Sequence, residues 1–449
     1  MSCRVRQLLT WVAVSFLSLA GANIVRTYNE TESILNHLLI QLSSDLHPVA
    51  TAVTGPFEDS PECSTLNCPS GAVKKLTNNY NKALVIDYTK TKLIACGSLF
   101  QGSCSVRSME NISEVYEDVK EAVVANNAKA STVAFIAPGP KNSQGAHVMY
   151  VGVTFTGDSP YRSEVPAVAS RSLESGKMFT IAESMVTTGT RMFVNTLARE
   201  RFIINYVYGF SSEGFSYFLT TQMKSSSSPP YISKLVRVCH DDSSYYSYTE
   251  IPLVCTSSEG KHYNLVQAAY VGKSGSVLAG NLGITQQDDV LYGVFSESFM
   301  SNINGSMRTN AGRLIFVFQK LQTIDEDFCG LDVNTPIGGE SPASAVAPLL
   351  FDKRLTAVAA TSTGNYTVVF VGTADGHLKK VRKKCQKSVS EIPRGFFQDQ
   401  EVHEYFTHCV KHSAFSSGRR ENHSTYKTVG ILHALRQTRC GLPARRGGS

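Results

Sequence analysis

The sequence carries none of the short patterns that mark common catalytic machinery. It has no GxSxG elbow, no phosphate-binding loop and no GxGxxG turn, which argues against α/β-type hydrolases, P-loop NTPases and dinucleotide enzymes. His403, Glu404 and His408 spell HExxxH. Histidines five apart do not share a helical face, so this is not a zinc helix. The acids at Asp241–Asp242, Asp288–Asp289 and Asp325–Glu326–Asp327 lack the alternating oxygen spacing of a calcium loop and read as solvated turns. Asp87, at the end of ALVIDY, reads as a ligand for local backbone amides. No polar constellation suggests a propeller hydrolase. The expectation is therefore no catalytic, cofactor-binding or metal residues, and no cofactor.

Long apolar runs are equally scarce. After the N-terminus no stretch is apolar enough to span a bilayer. Arg4 and Arg6 precede an apolar run from Leu8 to Leu19, followed by Ala20, Gly21 and Ala22. This is the pattern of a secretory signal peptide, with cleavage expected after Ala22. Removing it takes Cys3 from the 11 cysteines and leaves an even number, which an oxidising compartment can pair. The net charge of +6 is concentrated at one end: from Lys379 onward there are 15 Lys and Arg against 5 Asp and Glu. The body is mildly acidic and offers no basic face for nucleic acid.

What is abundant is β-pattern. Segments such as ALVIDY, LIACGS, STVAFIA, HVMYVGVTF, FIINYVYGF, ISKLVRVC, VLYGVF and YTVVFVGT are rich in Val, Ile, Tyr, Phe and Thr, and are bounded by Gly, Pro, Asn and Ser. The stretch LIACGSLFQGSC, Leu93 to Cys104, organises the chain: a buried strand, turns at Gly97 and Gly102, and Cys96 and Cys104 close enough to join. Related phrases recur with Gly152 and Gly157, Gly209 and Gly214, and Gly372 and Gly376. Strand–glycine-turn–strand units at intervals of roughly 50 residues predict propeller blades. Asp375–Gly376 supplies the last hairpin turn. The best helical pattern is Ile112 to Asn127, with Val115, Val119 and Val123 four apart; Arg313 to Leu321 suits either strand or helix. Cys63 and Cys68 bracket a small loop. Sequons stand at Asn29, Asn111, Asn304, Asn365 and Asn422 and are candidate glycosylation sites.

At NKALVIDYTKTKLIACGSLFQGSC the chain resembles the early sema-domain signature of plexins, cell-surface receptors for semaphorins. YVYGFSSEGFSYFLT, ISKLVRVCHDDSSYYSYTEIPLVC, YNLVQAAYVGKSG and DEDFCGLDVNTPIGG are similar to later plexin segments in the same order, with the A-type plexins nearest. The resemblance covers about residues 36 to 382. It implies an all-β, sema-type seven-bladed β-propeller, no catalysis, and recognition of semaphorins at the propeller surface. It also implies disulfides joining Cys63 to Cys68 and Cys96 to Cys104, with Cys239, Cys255 and Cys329 at positions of further bridges.

The chain departs from the family near Ile40, where a strand pair is missing, near residue 319, where a cysteine-bearing segment is missing, and beyond Val381, where the resemblance stops. The expected organisation is a signal peptide (1–22), an incomplete sema domain (23–382) and a divergent, disordered basic tail (383–449). That tail carries Cys385, Cys409 and Cys440, and is expected to add no regular strands. Truncation or alternative splicing would account for the losses. The expected function is a semaphorin receptor ectodomain in cell or axon guidance, extracellular and secreted as written, with semaphorins and other plexin chains or co-receptors as partners. The alternative is a secreted decoy or ligand-like guidance factor.

Overall fold

The structure, a computed structural model, describes residues 38–43, 47–140, 147–185, 188–225, 228–256, 260–297, 312–317, 337–338, 342–351, 353–382 and 428–433. Two short hairpins come first: β1 (Leu38–Leu42) with β2 (Pro48–Val53), then β3 (Phe57–Asp59) with β4 (Lys75–Thr77). Four-stranded antiparallel meanders follow. One is β5 (Asn81–Asp87), β6 (Lys92–Gly97), β7 (Cys104–Ser108) and β8 (Val115–Val119). The next is β9 (Thr132–Pro138), β10 (His147–Val153), β11 (Val168–Arg171) and β12 (Arg191–Met192). A third is β13 (Ile204–Ser212), β14 (Phe215–Ser225), β15 (Ser228–Cys239) and β16 (Thr249–Thr256). Then come β17 (Leu265–Lys273), helix α1 (Ser276–Leu282), β18 (Asp289–Ser296), β19 (Gly312–Val317), β20 (Ile337–Gly338) and β21 (Ala343–Phe351). The sheet β22 (Leu355–Ser362), β23 (Thr367–Thr373) and β24 (Leu378–Arg382) follows, and β25 (Thr428–His433) is last.

Alternation of side chains explains how these sheets stack. On β10, Met149, Val151 and Val153 enter one core with β6 and β7, whereas Val148 and Tyr150 enter another with Phe218 and Val236. On β14, Phe218 shares that second core, while Tyr217 and Leu219 face a third with Leu291 and Phe295. On β18, Leu291 and Phe295 serve the third core, and Val290, Tyr292 and Val294 a fourth with Val369 and Val371 of β23. A strand buried on both faces loses the polar half of its period-2 pattern, which is why HVMYVGV and DVLYGVF read as nearly continuous apolar runs. The first strands β5, β9, β13, β17 and β22 meet one after another. Face-to-face sheets with their first strands side by side make an all-β propeller, and it is incomplete: β5 and β22 stand at the two ends and are not hydrogen-bonded to each other.

Several expectations need correction. Gly97, Gly152, Gly209 and Gly372 are not turn residues: Gly97 ends β6, and the others lie inside β10, β13 and β23. A Cβ on Gly152 would come within 2.4 Å of the Tyr206 ring, and one on Gly209 within 2.6 Å of Phe135 and Val133. These glycines let adjacent sheets approach. The turns belong to the second glycine of each phrase: Gly102, Gly157, Gly214 and Gly376 all have positive φ. Ile112 to Asn127 is not a helix. Val115 and Val119 belong to β8, paired with β7, and Val123, Val124 and Ala125 are all fully buried. Burial of three consecutive residues fits no helical stripe, and the demand for a fourth strand overrides the local pattern. In the segment left open between strand and helix, 312–317 is strand.

β16 pairs in parallel with β20 and β21, and so the third and fourth sheets are continuous. The C-terminal segment was expected without strands, yet β25 pairs antiparallel with β18 and β21. Those six residues add to a sheet, although not to the first one. The rest of 383–449, with HExxxH and the three tail cysteines, lies outside the described residues.

Candidate recognition surface

The turn between β6 and β7 is the most densely connected place in the first sheet. Cys96 and Cys104 are directly opposed in the β6–β7 ladder, with Cα atoms 4.0 Å apart, and are disulfide-bonded. They sit on the two central strands of the sheet. Beyond them Phe100, Gln101 and Gly102 are consecutive left-handed residues, with φ of 52, 64 and 85°. Tertiary contacts hold this conformation, which two non-glycine residues resist. The Gln101 side chain donates to the carbonyls of Cys63 (2.6 Å) and Pro61 (3.3 Å), and its Oε1 accepts from Asn126 (3.3 Å). The Phe100 N–H donates to Asp59 at 2.8 Å. The Cys63–Cys68 loop is therefore fastened to the turn, and it presents Leu66 to solvent.

Two buried arginines tie the second sheet to the same region. Arg162, in a 3-10 turn (Arg162–Glu164), donates to the carbonyls of Gln101 (2.8 Å) and Val124 (3.1 Å). Arg171, at the end of β11, donates to Phe179 (3.1 Å) and Ala122 (3.1 Å). Burial pushes each guanidinium down to about 10. Arg171 adds to this for Arg162 while Asp158 opposes it, and Glu121 opposes it for Arg171. Both arginines are spent on backbone carbonyls, as inter-sheet staples, and neither forms an ion pair among the described residues. Sequence reasoning missed them. The only signal was an arginine inside the apolar phrase VASRSL.

Around this scaffold lie two open clefts. A cleft of ≈ 380 Å³ above the Cys96–Cys104 bridge is lined by Val53, Phe57, Phe100, Arg107, Val115 and Asp118. Burial lowers the Arg107 pKa and Asp118 opposes the shift. A cleft of ≈ 450 Å³ is lined by Tyr161, Arg171, Ile181, Arg191 and Phe193, with Glu121 and Glu164. Leu66, Val73 and Leu76 are also exposed in this N-terminal part of the chain. Scattered apolar and aromatic side chains among charges of both signs, on rigid strands, suit contact with another protein.

The other residues singled out in the sequence are dispersed. Cys239 ends β15, is buried and is disulfide-bonded, and Cys255 of β16 is buried in the same core. Cys329 lies outside the described residues, as do Asn29, Asn304, Asn422 and the acids at 325–327. Asn111 is in an Asx turn that accepts from the Ser113 N–H (3.1 Å) and hydroxyl (2.7 Å). Asn365 is exposed in the β22–β23 turn, 3.4 Å from the Ser276 hydroxyl. The carboxylates shape turns: Asp87 accepts from the N–H groups of Thr89 and Lys90, and buried Asp242 accepts from the N–H and hydroxyl of Ser247 (2.6 Å each). Among the described residues there is no cluster of His, Cys, Asp and Glu fit to hold a metal, and no helix long and apolar enough to cross a membrane.

Fold and comparisons together define the class: a sema-type propeller. The family model described as the Sema domain matches residues 305–404. That match runs past Val381, so the resemblance does not stop there as expected. Human Plexin-A2 is 32% identical over 414 residues, covering 81% of this chain and 21% of that protein. Human Plexin-A4 is 33% identical over 398 residues, with 77% and 20% covered. A solved structure of the plexin A4 full extracellular region superposes with a TM-score of 0.66 at 30% identity, covering 77% of this chain and 45% of that one. The chain belongs to the plexin family, and this part of it is sema domain of the A-type plexin kind. It spans about a fifth of the length of the curated plexins it matches.

Proposed function

We propose that this chain is a semaphorin-recognising module of an extracellular receptor, working by protein contact without catalysis. The observation that carries this reading is the match to the plexin A4 extracellular region at a TM-score of 0.66 and 30% identity. The rigid first sheet, with its disulfide-fastened loop and mixed apolar and charged clefts, supports it. The signal-like N-terminus, whose removal leaves an even number of the 11 cysteines, supports an extracellular setting, whether secreted or at a cell surface, and the sequons at half-buried Asn111 and exposed Asn365 are proposed to carry glycans there. Saturable binding to at least one member of a semaphorin ectodomain panel, measured by interferometry with the purified chain, is the expected result. A folded chain that binds none of them would overturn the proposal. Blocking of semaphorin responses on receptor-bearing cells would assign it as a decoy, and binding to cells without semaphorin would assign it as a ligand-like factor.

A further inference from the structure

Two strands of equal length leave one edge without a strand partner among the described residues. β8 is the last strand of the first sheet, bonded only to β7, and β24 is the last strand of its sheet, bonded only to β23. Their sequences are VYEDV and LKKVR. Set antiparallel, Leu378 falls opposite Val119, Lys379 opposite Asp118, Lys380 opposite Glu117 and Val381 opposite Tyr116. Four of the five cross-strand pairs match in kind, apolar with apolar and base with acid, and the fifth sets Arg382 opposite Val115. Such cross-strand pairs stabilise a ladder, and like charges in the same places oppose it. The alternation also agrees: Lys379 and Val381 share one face of β24, and Asp118 and Tyr116 share one face of β8. Each edge is outermost in its own sheet, and the two are not hydrogen-bonded to each other within the molecule.

We propose that β24 of one copy of this chain adds to β8 of a second copy as a fifth strand of its first sheet. An exposed strand edge is a template for another chain, and the bases on β24 that would repel a second basic edge here select an acidic one. The contact is heterologous: a closed dimer needs both such ladders at once, and otherwise the copies run head to tail. Existing contacts compete with this pairing. Asp118 pairs with Lys120 at 2.7 Å in an exposed position, Lys92 lies 3.6 Å from the Tyr116 ring centre, and Lys379 lies 5.6 Å from that of Phe351. An exposed ion pair is readily exchanged.

The test is sedimentation velocity of the secreted full chain across a wide concentration range at low and high salt. The weight-average mass is expected to rise about two-fold or more at the top of the range at low salt, and to fall back at high salt. Lys379→Glu with Lys380→Glu makes both edges acidic, and Glu117→Lys with Asp118→Lys makes both basic. Each variant alone is expected to associate at least about ten-fold more weakly, whereas an equimolar mixture of the two associates again because its edges are complementary. A wild-type chain that stays monomeric throughout, a variant that associates like wild type, or a mixture that does not associate overturns the proposal. Far-UV circular dichroism checks that each variant keeps the fold, and the salt and concentration series of the wild-type chain decides the matter even if one variant does not.

Discussion

Gly102 and Gly376 form a matched pair for testing how the first sheet is locked. Their φ values are 85 and 84°, so alanine meets the same left-handed backbone at both. The shared conformational cost is roughly 1–2 kcal/mol. Their surroundings differ. A Cβ at Gly376 meets nothing within 4 Å, whereas at Gly102 it falls 2.0 Å from the Val124 carbonyl oxygen. That oxygen accepts from Arg162 at 3.1 Å, and the Gly102 carbonyl accepts from the N–H groups of Val123 and Val124 at 2.9 and 3.0 Å. Making room moves a fully buried segment and weakens three hydrogen bonds, each worth about 1 kcal/mol net. Gly102→Ala is therefore expected to cost roughly 4–5 kcal/mol, a large part of a typical domain's stability, and Gly376→Ala roughly 1–2 kcal/mol. Urea unfolding followed by far-UV circular dichroism measures both. Equal shifts of the two midpoints would refute the claim that the turn is held by contact with Val124.

Three further predictions concern the same scaffold. Replacing Cys96 and Cys104 together by alanine removes a bridge with a sequence separation of 8 and should lower stability by roughly 2–3 kcal/mol in the chain-entropy account; non-reducing peptide mapping of the secreted chain should find the two linked, and a free thiol at either position would count against the bridge. Burial pushes His240 down from its ordinary 6.5 to about 4, with Asp241 opposing the shift. The unfolded chain then takes up the proton first, so stability is full above pH 6.5 and falls by up to about 3 kcal/mol as the pH drops towards 4. His240→Gln should flatten that part of the stability profile. Arg162→Met leaves the carbonyls of Gln101 and Val124 without their guanidinium donor and should destabilise by roughly 2–4 kcal/mol, and Arg162→Lys should still lose a large part of this because one planar fork serves both acceptors; urea unfolding measures both.

The strand content and the local pairings were legible because they depend on neighbours in sequence. Leu93 to Cys104 reads as strand, turn and strand from its apolar run and glycines, and Cys96 faces Cys104 because the hairpin opposes them. Asp375–Gly376 closes the β23–β24 hairpin for the same reason, with the Thr373 N–H bonded to the His377 carbonyl at 2.9 Å. Ile112 to Asn127 misled because a four-residue valine spacing is compatible with two periods over so short a run, and the choice is made by pairing with β7 and by burial of Val123 to Ala125, neither of which the valine spacing records.

What the sequence by itself determined is the all-β character, the strand-turn rhythm and the plexin resemblance, since alternation, turn chemistry and in-order segments are written residue by residue. Only the tertiary structure decided the roles of the glycines and the arginines. Gly152 and Gly209 look like turn residues until the rings of Tyr206 and Phe135 are seen to occupy the space a side chain would need. Arg162 and Arg171 look like surface charges until the carbonyls of Gln101, Val124, Phe179 and Ala122 are brought to them. Apart from Arg171 with Phe179, such contacts join residues 38 or more positions apart. Burial, which makes a guanidinium tolerable only against aligned carbonyls, is a property of the packed sheets and not of any stretch of chain.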